Sequence, residues 1–304
     1  MAGKILVVAT SWHDTLGDAP TGSWVEEIAS PYYAWRSHGF QVTLASIKGG
    51  EVHFDPSSTS GDFLTKEADA FLKGADTAAM IQNTKSVADF SEEDLNQYDA
   101  LFIPGGHGIM FDGPESSELK KIVEHMWKQG KIISAVCHGP AGLLPAVDPS
   151  SGDSILKGKR ACGFTNSEER AVGKHDLVPY SLEDKMKELG ADFECGPADW
   201  SEYVVKDGKL ITGQNPQSSR AVAEVVASTV LPHIPPQHEG KAEGEGFKAR
   251  GHPVTGEHHA HGDDKVPPHP QSHMHQWQSP VRQTTHTGPG TASRSARPDK
   301  SYVG

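Results

Sequence analysis

Short runs of consecutive apolar residues recur along the first 235 residues, and each run stops at polar or small residues. Four of these runs are KILVVAT (4–10), VTLASI (42–47), ALFIPGG (100–106) and KIISAVC (131–137). Unbroken runs of this length are typical of strands buried on both faces of a parallel sheet. The pattern therefore predicts a mainly parallel sheet whose strands end at these polar or small residues.

Between the apolar runs, hydrophobic residues return at helical spacing. SELKKIVEHMWKQG (117–130) places its apolar side chains on one side and ends at a glycine, as helices commonly do. NPQSSRAVAEVVASTVL (215–231) predicts a capped, strongly apolar final helix. Ser30 and Pro31 resemble an N-cap followed by proline at the first helical position, and Gly39 predicts the end of that helix.

Strands that alternate with helices predict the fold class. YVVKDGKLITG (203–213) adds a hairpin that turns at Asp207-Gly208. Residues 51–99 are longer than a simple crossover requires and carry extra helical patterns that could form a partial lid. The whole pattern predicts an α/β fold with a mainly parallel sheet that is covered by helices on both faces.

The composition changes near Pro232. Residues 236–304 have almost no aliphatic periodicity and cannot bury enough apolar surface to offset the entropy cost of ordering their backbone. We therefore predict a globular domain over residues 1–235 and a disordered His/Pro/Gly-rich tail over residues 236–304. Nine of the 17 histidines lie in the tail. They suggest either a weak metal-binding segment or incidental histidines, and the absence of a fixed ligand spacing favours the second.

Charge and cysteine content argue against several classes of function. The net charge is -12 and the pI is about 5.7, so binding to nucleic acid or to an anionic membrane is disfavoured. No apolar run approaches the ~20 residues of a membrane helix, and the N-terminal run is too short for a signal-peptide core. Three cysteines without a secretion signal suggest free thiols. We therefore expect a cytoplasmic protein that could also be nuclear, without nucleic-acid or membrane partners.

Cys137 stands where an apolar run gives way to HGPAG (138–142). It therefore lies at the carboxyl end of a predicted central strand, where the active sites of parallel sheets are found. A sharp strand-to-helix turn would expose a nucleophile, aim backbone N–H groups at it and lower the pKa of the thiol. We predict an exposed, ionised nucleophile rather than a buried packing cysteine. Cys162 and Cys195 lack this context and are predicted to be packing residues.

A second turn of small residues, IPGGHG (103–108), follows another predicted strand. Glycines expose backbone N–H groups, so Gly105 and Gly106 could supply oxyanion donors that face the thiolate. The alternative is an ordinary tight turn. His107 could act as a ligand or base, or be a turn histidine that is exposed to solvent.

Acid/base partners for the thiolate could come from two pairs of adjacent glutamates. One pair lies in TGSWVEEI (21–28) and the other in GFTNSEERAVG (163–173). Adjacent residues lie on different faces of a helix, so at most one glutamate of each pair should point inward. The residue pattern does not choose between them, and solvated surface glutamates remain an alternative.

Five motifs occur in one order along the chain: TG-x-x-x-x-E, GHG, AVCHGPAG, GFT-x-x-x-E and TG-x-NP-x-S. This arrangement resembles the ThiJ/PfpI superfamily, and within it the branch of heat-shock-type glyoxalase III and chaperone-like proteins. The resemblance covers about residues 3–232. It implies a flavodoxin-like three-layer α/β sandwich related to class I glutamine amidotransferases.

The resemblance also implies a role for each site residue. Cys137 matches the nucleophile and His138 the triad histidine. Glu169 matches the acid that orients the histidine, and Glu27 matches the glutamate that hydrogen-bonds the cysteine sulfur. The glutamate that precedes each of these two would be a bystander.

The implied reaction converts methylglyoxal, a 2-oxoaldehyde, and water to D-lactate with no cofactor and no metal. The chain has no Gly-rich phosphate loop. Within enzymes, the alternatives are other thiol chemistries on the same scaffold, such as amidase, peptidase or deglycase activity. A different alternative is a stress holdase that binds misfolded proteins through apolar patches, and a third is a redox sensor. A homodimer is expected only because dimers are common in the superfamily.

Overall fold

The computed structural model describes residues 2–231, which contain eleven strands. In chain order, the strands are β1 (Lys4–Ala9), β2 (Thr15–Leu16), β3 (Ala19–Pro20), β4 (Gln41–Ser46), β5 (Lys85–Ser86), β6 (Ala100–Ile103), β7 (Ile132–Val136), β8 (Arg160–Ala161), β9 (Asp192–Phe193), β10 (Val204–Asp207) and β11 (Leu210–Gly213).

Nine α-helices are found in the same part of the chain. In chain order, they are α1 (Glu26–Ser37), α2 (Lys66–Lys73), α3 (Ala75–Gln82), α4 (Glu92–Asn96), α5 (Ile109–Asp112), α6 (Ser117–Lys128), α7 (Asn166–Ala171), α8 (Leu182–Glu188) and α9 (Ser219–Val230).

Seven strands form one central sheet in the order β10-β11-β7-β6-β1-β4-β5. All neighbouring strands in it are parallel except the edge hairpin of β10 and β11. The five central parallel strands, numbered along the chain, follow the order 2-1-3-4-5 of a flavodoxin-like sheet. The predicted fold class is therefore confirmed. The strand order reverses between β1 and β6, which is where such sheets bind ligands.

Hydrophobic cores lie on both faces of this sheet. Along β1, Ile5 and Val7 belong to the core shared with α1 and α9, whereas Leu6 and Val8 belong to the core shared with α6. All four side chains are at most 2% exposed. Because successive side chains of a strand point to opposite faces, an unbroken apolar run is what a strand covered on both sides requires.

Most predicted elements are confirmed, but the start of the first helix is wrong. Helix α6 and the β10–β11 hairpin lie where the sequence predicts them, and residues 51–99 do contain extra helices, α2 to α4. Helix α1 begins at Glu26 rather than at Pro31, which lies inside the helix. A proline removes only one backbone hydrogen bond there, and the preceding turn buries Glu27 and Ile28.

The C-terminal tail and membrane-spanning helices were also subjects of the sequence predictions. The predicted tail, residues 236–304, lies outside the described residues. Among residues 2–231, no helix is long and apolar enough to cross a membrane.

Candidate active site

Cys137 follows the last residue of β7 and adopts a left-handed backbone conformation, with φ at +58°. Such a conformation is costly for a residue that is not glycine and persists only when the surrounding structure holds it. Here the Cys137 N–H donates to Gly213 O at 3.0 Å, and the Cys137 C=O accepts from Phe164 N at 2.9 Å. The chain on both sides of the sulfur is therefore fixed by the neighbouring segments.

The chain after Cys137 turns into a short 3₁₀ helix, Gly139–Leu143, where the sequence predicts a strand-to-helix turn. The turn packs closely against the end of β6. A Cβ atom at Gly139 would lie 2.1 Å from Ile103 O, so only glycine allows β6 and this turn to approach so closely.

The prediction that Cys137 is exposed and ionised is wrong. The residue is 3% exposed. Burial, followed by the adjacent Glu27 carboxyl, raises the pKa of the Cys137 thiol well above its ordinary value. A hydrogen bond from the His138 backbone N–H lowers this pKa but does not offset burial. Removing a thiol from water disfavours its charged form, so this site holds a thiol that needs a base.

Glu27, in the first turn of α1, is completely buried beside the sulfur. Its Oε2 accepts a hydrogen bond from Gly105 N at 2.6 Å. Its Oε1 has no partner of ordinary hydrogen-bond geometry, although the Cys137 side chain is close enough to influence its pKa. Burial raises the pKa of Glu27 to about 8. At pH 7 this carboxyl is therefore mostly protonated, and its proton is available to the sulfur.

The turn after β6 offers one oxyanion donor rather than two. The Gly105 N–H is engaged by Glu27, so the prediction that it faces the reacting oxygen is wrong. The Gly106 N–H makes no hydrogen bond to another group within residues 2–231. At Gly106 φ is +86°, and a Cβ atom would lie 2.2 Å from Gly22 O, so the position requires glycine. The His138 N–H donates to the sulfur, and the Gly106 N–H is the donor of the predicted pair that no other described group engages.

The His138 side chain connects the sulfur to a carboxylate. Its Nδ1 lies 3.4 Å from Cys137 Sγ, and its Nε2 lies 2.7 Å from Glu169 Oε2. Burial alone would raise the pKa of Glu169, but the charge of His138 and hydrogen bonds from two histidines together lower it well below its ordinary value. An ionised carboxylate only accepts hydrogen bonds, so Nε2 carries a hydrogen and a neutral His138 presents a bare Nδ1 to the thiol.

His107 is the second histidine bound to Glu169. Of the two alternatives for this residue, the exposed turn histidine is wrong, because His107 is 7% exposed. Its Nε2 lies 2.7 Å from Glu169 Oε1, and its ring centroid lies 4.1 Å from that of His138. Burial, followed by the nearby charge of His138, lowers the pKa of His107 to about 4. His107 is therefore neutral at pH 7 and donates to Glu169.

Glu168 is also buried, which contradicts the expectation that at most one glutamate of this pair points inward. Its Oε2 accepts from the backbone and side chain of Thr165 in a capping box. Its Oε1 accepts from Trp200 N, Gln214 Nε2 and Asn215 Nδ2, each at 2.9 Å. Glu168 does not contact the sulfur directly, but it joins three segments behind the site. The spacing T-x-x-E at 165–168 is the sequence signal that could have found it.

The remaining glutamate and cysteines have other surroundings. Glu26 is half-buried and accepts a hydrogen bond from the Thr65 side chain. Cys162 is buried against Thr212, as predicted for a packing residue. Cys195 is exposed, so the same prediction is wrong for that cysteine.

The ligand atoms of His107, His138 and Glu169 lie within 4.8 Å of one another, so this group could hold a metal ion. Two histidines and a carboxylate are a ligand set that divalent transition metals accept. In the arrangement described here, each Nε2 donates its hydrogen to Glu169. A metal would therefore have to replace both hydrogen bonds.

The segment of the chain that carries this thiol, its imidazole and its two buried carboxyls is similar to known proteins. Residues 22–229 match the DJ-1/PfpI family. The chain belongs to this family. All four residues discussed as nucleophile, base and carboxyl partners lie within the matched range.

Two relatives illustrate which DJ-1/PfpI proteins the chain is similar to. Glyoxalase 3 of Candida albicans is 32% identical over 231 residues, which cover 73% of this chain and 96% of that protein. The glutathione-independent glyoxalase HSP31 of Saccharomyces cerevisiae is 31% identical, covering 72% and 94%. The crystal structure of glyoxalase III from Candida albicans superposes with a TM-score of 0.68 at 31% identity, covering 75% of this chain and 97% of that one.

Proposed function

We propose that this protein is a glutathione-independent glyoxalase that converts methylglyoxal and water to D-lactate. One observation carries the proposal: the Cys137 thiol stands on a left-handed turn with a base and a protonated carboxyl directly beside it. The relatives named glyoxalases support it, because they align along nearly their whole length.

The first step is activation of the thiol. His138 Nδ1, 3.4 Å from the sulfur, takes the thiol proton as the sulfur attacks the aldehyde carbon. Glu169 stabilises the imidazolium that forms. Because Glu27 is neutral at pH 7, it does not repel the developing thiolate and can donate a hydrogen bond to it.

The second step moves hydrogen between the two carbonyl carbons. The hemithioacetal oxygen, held by the Gly106 and His138 N–H groups, receives the proton from His138. The free Nδ1 then removes the proton from the former aldehyde carbon and returns one to the former ketone carbon through an enediol. The hydroxyl proton passes from the oxygen of the former aldehyde carbon to the oxygen of the former ketone carbon, which leaves a thioester carbonyl on the first and a hydroxyl on the second. The aldehyde carbon is oxidised and the ketone carbon is reduced, so no external electron acceptor is needed.

The last step releases the product. The lactoyl group is now a thioester of Cys137, and water attacks its carbonyl carbon. The carbon–sulfur bond breaks, and a proton from water restores the thiol. A protein thiol takes the part that a small-molecule thiol would otherwise play, which is why glutathione is not required in this scheme.

Product analysis tests the proposal. The wild type, Cys137→Ala and Cys195→Ser are incubated with methylglyoxal without glutathione, and D-lactate is measured enzymatically. We expect D-lactate from the wild type and from Cys195→Ser, whose exposed thiol lies outside the site, and none from Cys137→Ala. Turnover that survives in Cys137→Ala would overturn the mechanism.

The proposed compartment and partners follow from the same chemistry. A catalytic thiol must stay reduced, so we place the enzyme in the cytoplasm or nucleus rather than in an oxidising compartment. Among the described residues, Leu177 is the only large hydrophobic side chain that is exposed. Binding of misfolded proteins and homodimer formation stay predictions.

A further inference from the structure

Glu169 is shared by two histidines, whereas the proposed mechanism uses only one. Its Oε2 pairs with His138 and its Oε1 pairs with His107, both at 2.7 Å. The three residues are at most 7% exposed. Each carboxylate oxygen therefore has a fixed partner, and the carboxylate cannot rotate without breaking one of two buried hydrogen bonds.

We propose that His107 is a positioning residue of this site: by holding Glu169 Oε1, it keeps Oε2 aligned with His138 and thereby keeps His138 Nδ1 aimed at the sulfur. The kinetic consequence rests on the proposed function. The geometric part stands on the two hydrogen bonds and on the ring contact between His107 and His138.

The charges around His107 suit a neutral donor. His138, Glu169 and Lys174 are the titratable groups that act on it, and Lys174 pairs with the buried Asp55 at 3.7 Å. Burial and the charges of His138 and Lys174 together lower the pKa of His107 to about 4, although Glu169 opposes them. His107 therefore stays neutral when His138 becomes charged during turnover. It can hold Glu169 without competing with His138 for the negative charge.

The test compares two substitutions at the same position. His107→Leu keeps much of the volume but removes the donor, whereas His107→Gln keeps an N–H donor at a similar distance from the backbone. For His107→Leu we expect kcat to fall about 10- to 100-fold, as for partners that orient a primary ligand, with KM changed less than about threefold. We expect the kcat of His107→Gln to be at least about tenfold higher than the kcat of His107→Leu.

The pH profile separates positioning from simple destabilisation. A lost hydrogen bond to the charged form raises a carboxyl pKa, so in His107→Leu the pKa of Glu169 rises. Glu169 itself stays ionised at the pH of such assays, so the acid limb of kcat/KM reports protonation of the His138–Glu169 pair, whose Nδ1 must be bare. A carboxylate that has lost the hydrogen bond from His107 binds a charged His138 more strongly, so this limb should move to higher pH in His107→Leu. In His107→Gln it should stay where it is in the wild type.

His38 provides a matched control. Its Nε2 lies 2.7 Å from Glu224 Oε2, with side chains 7% and 9% exposed, against 8% and 7% for His107 and Glu169. His38→Leu therefore removes an equally buried histidine–glutamate pair away from the sulfur. It should lower stability without moving the pH profile. Equal profiles and equal kcat in His38→Leu and His107→Leu would overturn the proposal.

A second measurement distinguishes failure of this inference from failure of the proposed function. If the wild type makes no D-lactate, the proposed function fails. Alkylation of Cys137 by iodoacetamide at pH 7, followed by mass spectrometry of its peptide, still reports whether His138 serves the sulfur. Slower alkylation in His107→Leu than in the wild type and His38→Leu supports positioning, and equal rates in all three overturn it.

Discussion

At the residue scale, the Cys137 thiol and the Glu27 carboxyl lie side by side, and burial makes both of them weaker acids. Burial raises the pKa of both the Cys137 thiol and the Glu27 carboxyl, the latter to about 8. Two negative charges cannot share this enclosed space, so a proton stays between them at neutral pH. In the proposed mechanism the sulfur therefore becomes nucleophilic when His138 removes its proton during attack, rather than by resting as a thiolate.

Glu27→Gln should stabilise the fold at high pH. A carboxyl whose folded-state pKa is raised contributes stability that is fully present below its unfolded pKa of 4.5 and is lost as pH rises through about 8. The neutral amide escapes this loss. We expect thermal unfolding at pH 8.5 to shift upward by at least about 4 °C relative to the wild type, with a smaller shift at pH 4.5.

The same substitution should change the pH dependence of catalysis. If the protonated Glu27 is the active form, wild-type kcat/KM falls as pH rises through about 8. Glu27→Gln should lack this basic limb and lose less than about tenfold in kcat, because the amide N–H can replace the one hydrogen-bond donor that the mechanism asks of Glu27. Glu26→Gln is the matched control, because this neighbour bonds Thr65 instead of the sulfur. A basic limb that persists unchanged in Glu27→Gln would contradict the assignment.

Sequence reasoning could find the nucleophile but not its protonation state. The change from an apolar run to HGPAG marks Cys137, because a turn at a strand end requires small residues. The choice of Glu27 over Glu26 came only from the family resemblance, since two adjacent glutamates look alike in a sequence. The raised pKa of the thiol depends first on burial and then on a carboxyl 110 positions earlier in the chain, and no local pattern reports either.

At the element scale, Glu168 attaches helix α7 to the rest of the site. It accepts hydrogen bonds from Thr165, before α7, from Trp200, and from Gln214 and Asn215, after β11. Trp200 has a left-handed φ of +66°, a conformation that the bond from its N–H helps to hold. Helix α7 carries Glu169 as well, so its placement fixes the carboxylate that orients His138.

Glu168→Gln should therefore lower stability more than a surface substitution does. The amide keeps one oxygen acceptor, but its NH₂ group replaces the other oxygen and then faces groups that also donate hydrogen bonds. We expect this mismatch to lower the free energy of unfolding by about 3 kcal/mol. Urea denaturation measures this change. Glu194→Gln, which disrupts an ion pair with the largely exposed Arg160, should cost less than about 1 kcal/mol. Comparable losses in the two variants would show that Glu168 is not a structural centre.

The close approach of β6 to the turn after Cys137 gives a second test at this scale. In Gly139→Ala the added Cβ atom would lie 2.1 Å from Ile103 O, so one of the two backbone segments must move. We expect a loss of more than about 100-fold in kcat and a clear fall in the melting temperature.

Gly130→Ala is the control for Gly139→Ala. Gly130 has a φ of +66° and nothing within 4 Å of a Cβ atom. Gly130→Ala should lower the free energy of unfolding by only about 1 kcal/mol, through conformational strain, and should leave kcat unchanged. Full activity in Gly139→Ala would mean that the turn tolerates displacement of the sulfur.

Local sequence patterns predict correctly those helices and strands whose boundaries do not depend on packing against distant residues. Helix α6 shows a clear apolar side, and the β10–β11 hairpin has glycine at a turn position with φ of +61°. Helix α1 begins earlier than predicted. A proline inside a helix is unfavourable in isolation, but here the turn before Pro31 buries Glu27 and Ile28, and this burial favours the longer helix. Tertiary packing decided that boundary, and packing cannot be read from a local window.

At the scale of the whole molecule, the site exists because four separate segments of the chain meet at one edge of the sheet. Parallel strands bring their carboxyl ends to the same edge, and the order β7-β6-β1 places the turns after these strands side by side. Glu27 lies in α1, the first helix after β1, Gly106 and His107 follow β6, and Cys137 follows β7. The fourth segment is α7, which carries Glu169. The sequence predicted this convergence in outline. It could not predict that Glu169 would bridge two histidines.

The proposed reaction should need only the first 235 residues of the chain. All residues assigned to the site lie between Glu27 and Glu169, and α9, which packs on α1, ends at Val230. The aligned 231 residues already cover 96% of the Candida albicans relative. A chain shortened to residues 1–235 should therefore keep kcat and KM within about twofold of the full chain, because no reacting group is removed. D-lactate assays on both chains, with melting temperatures as a check on folding, measure this directly. A shortened chain that folds normally but loses turnover would assign the tail a part in catalysis.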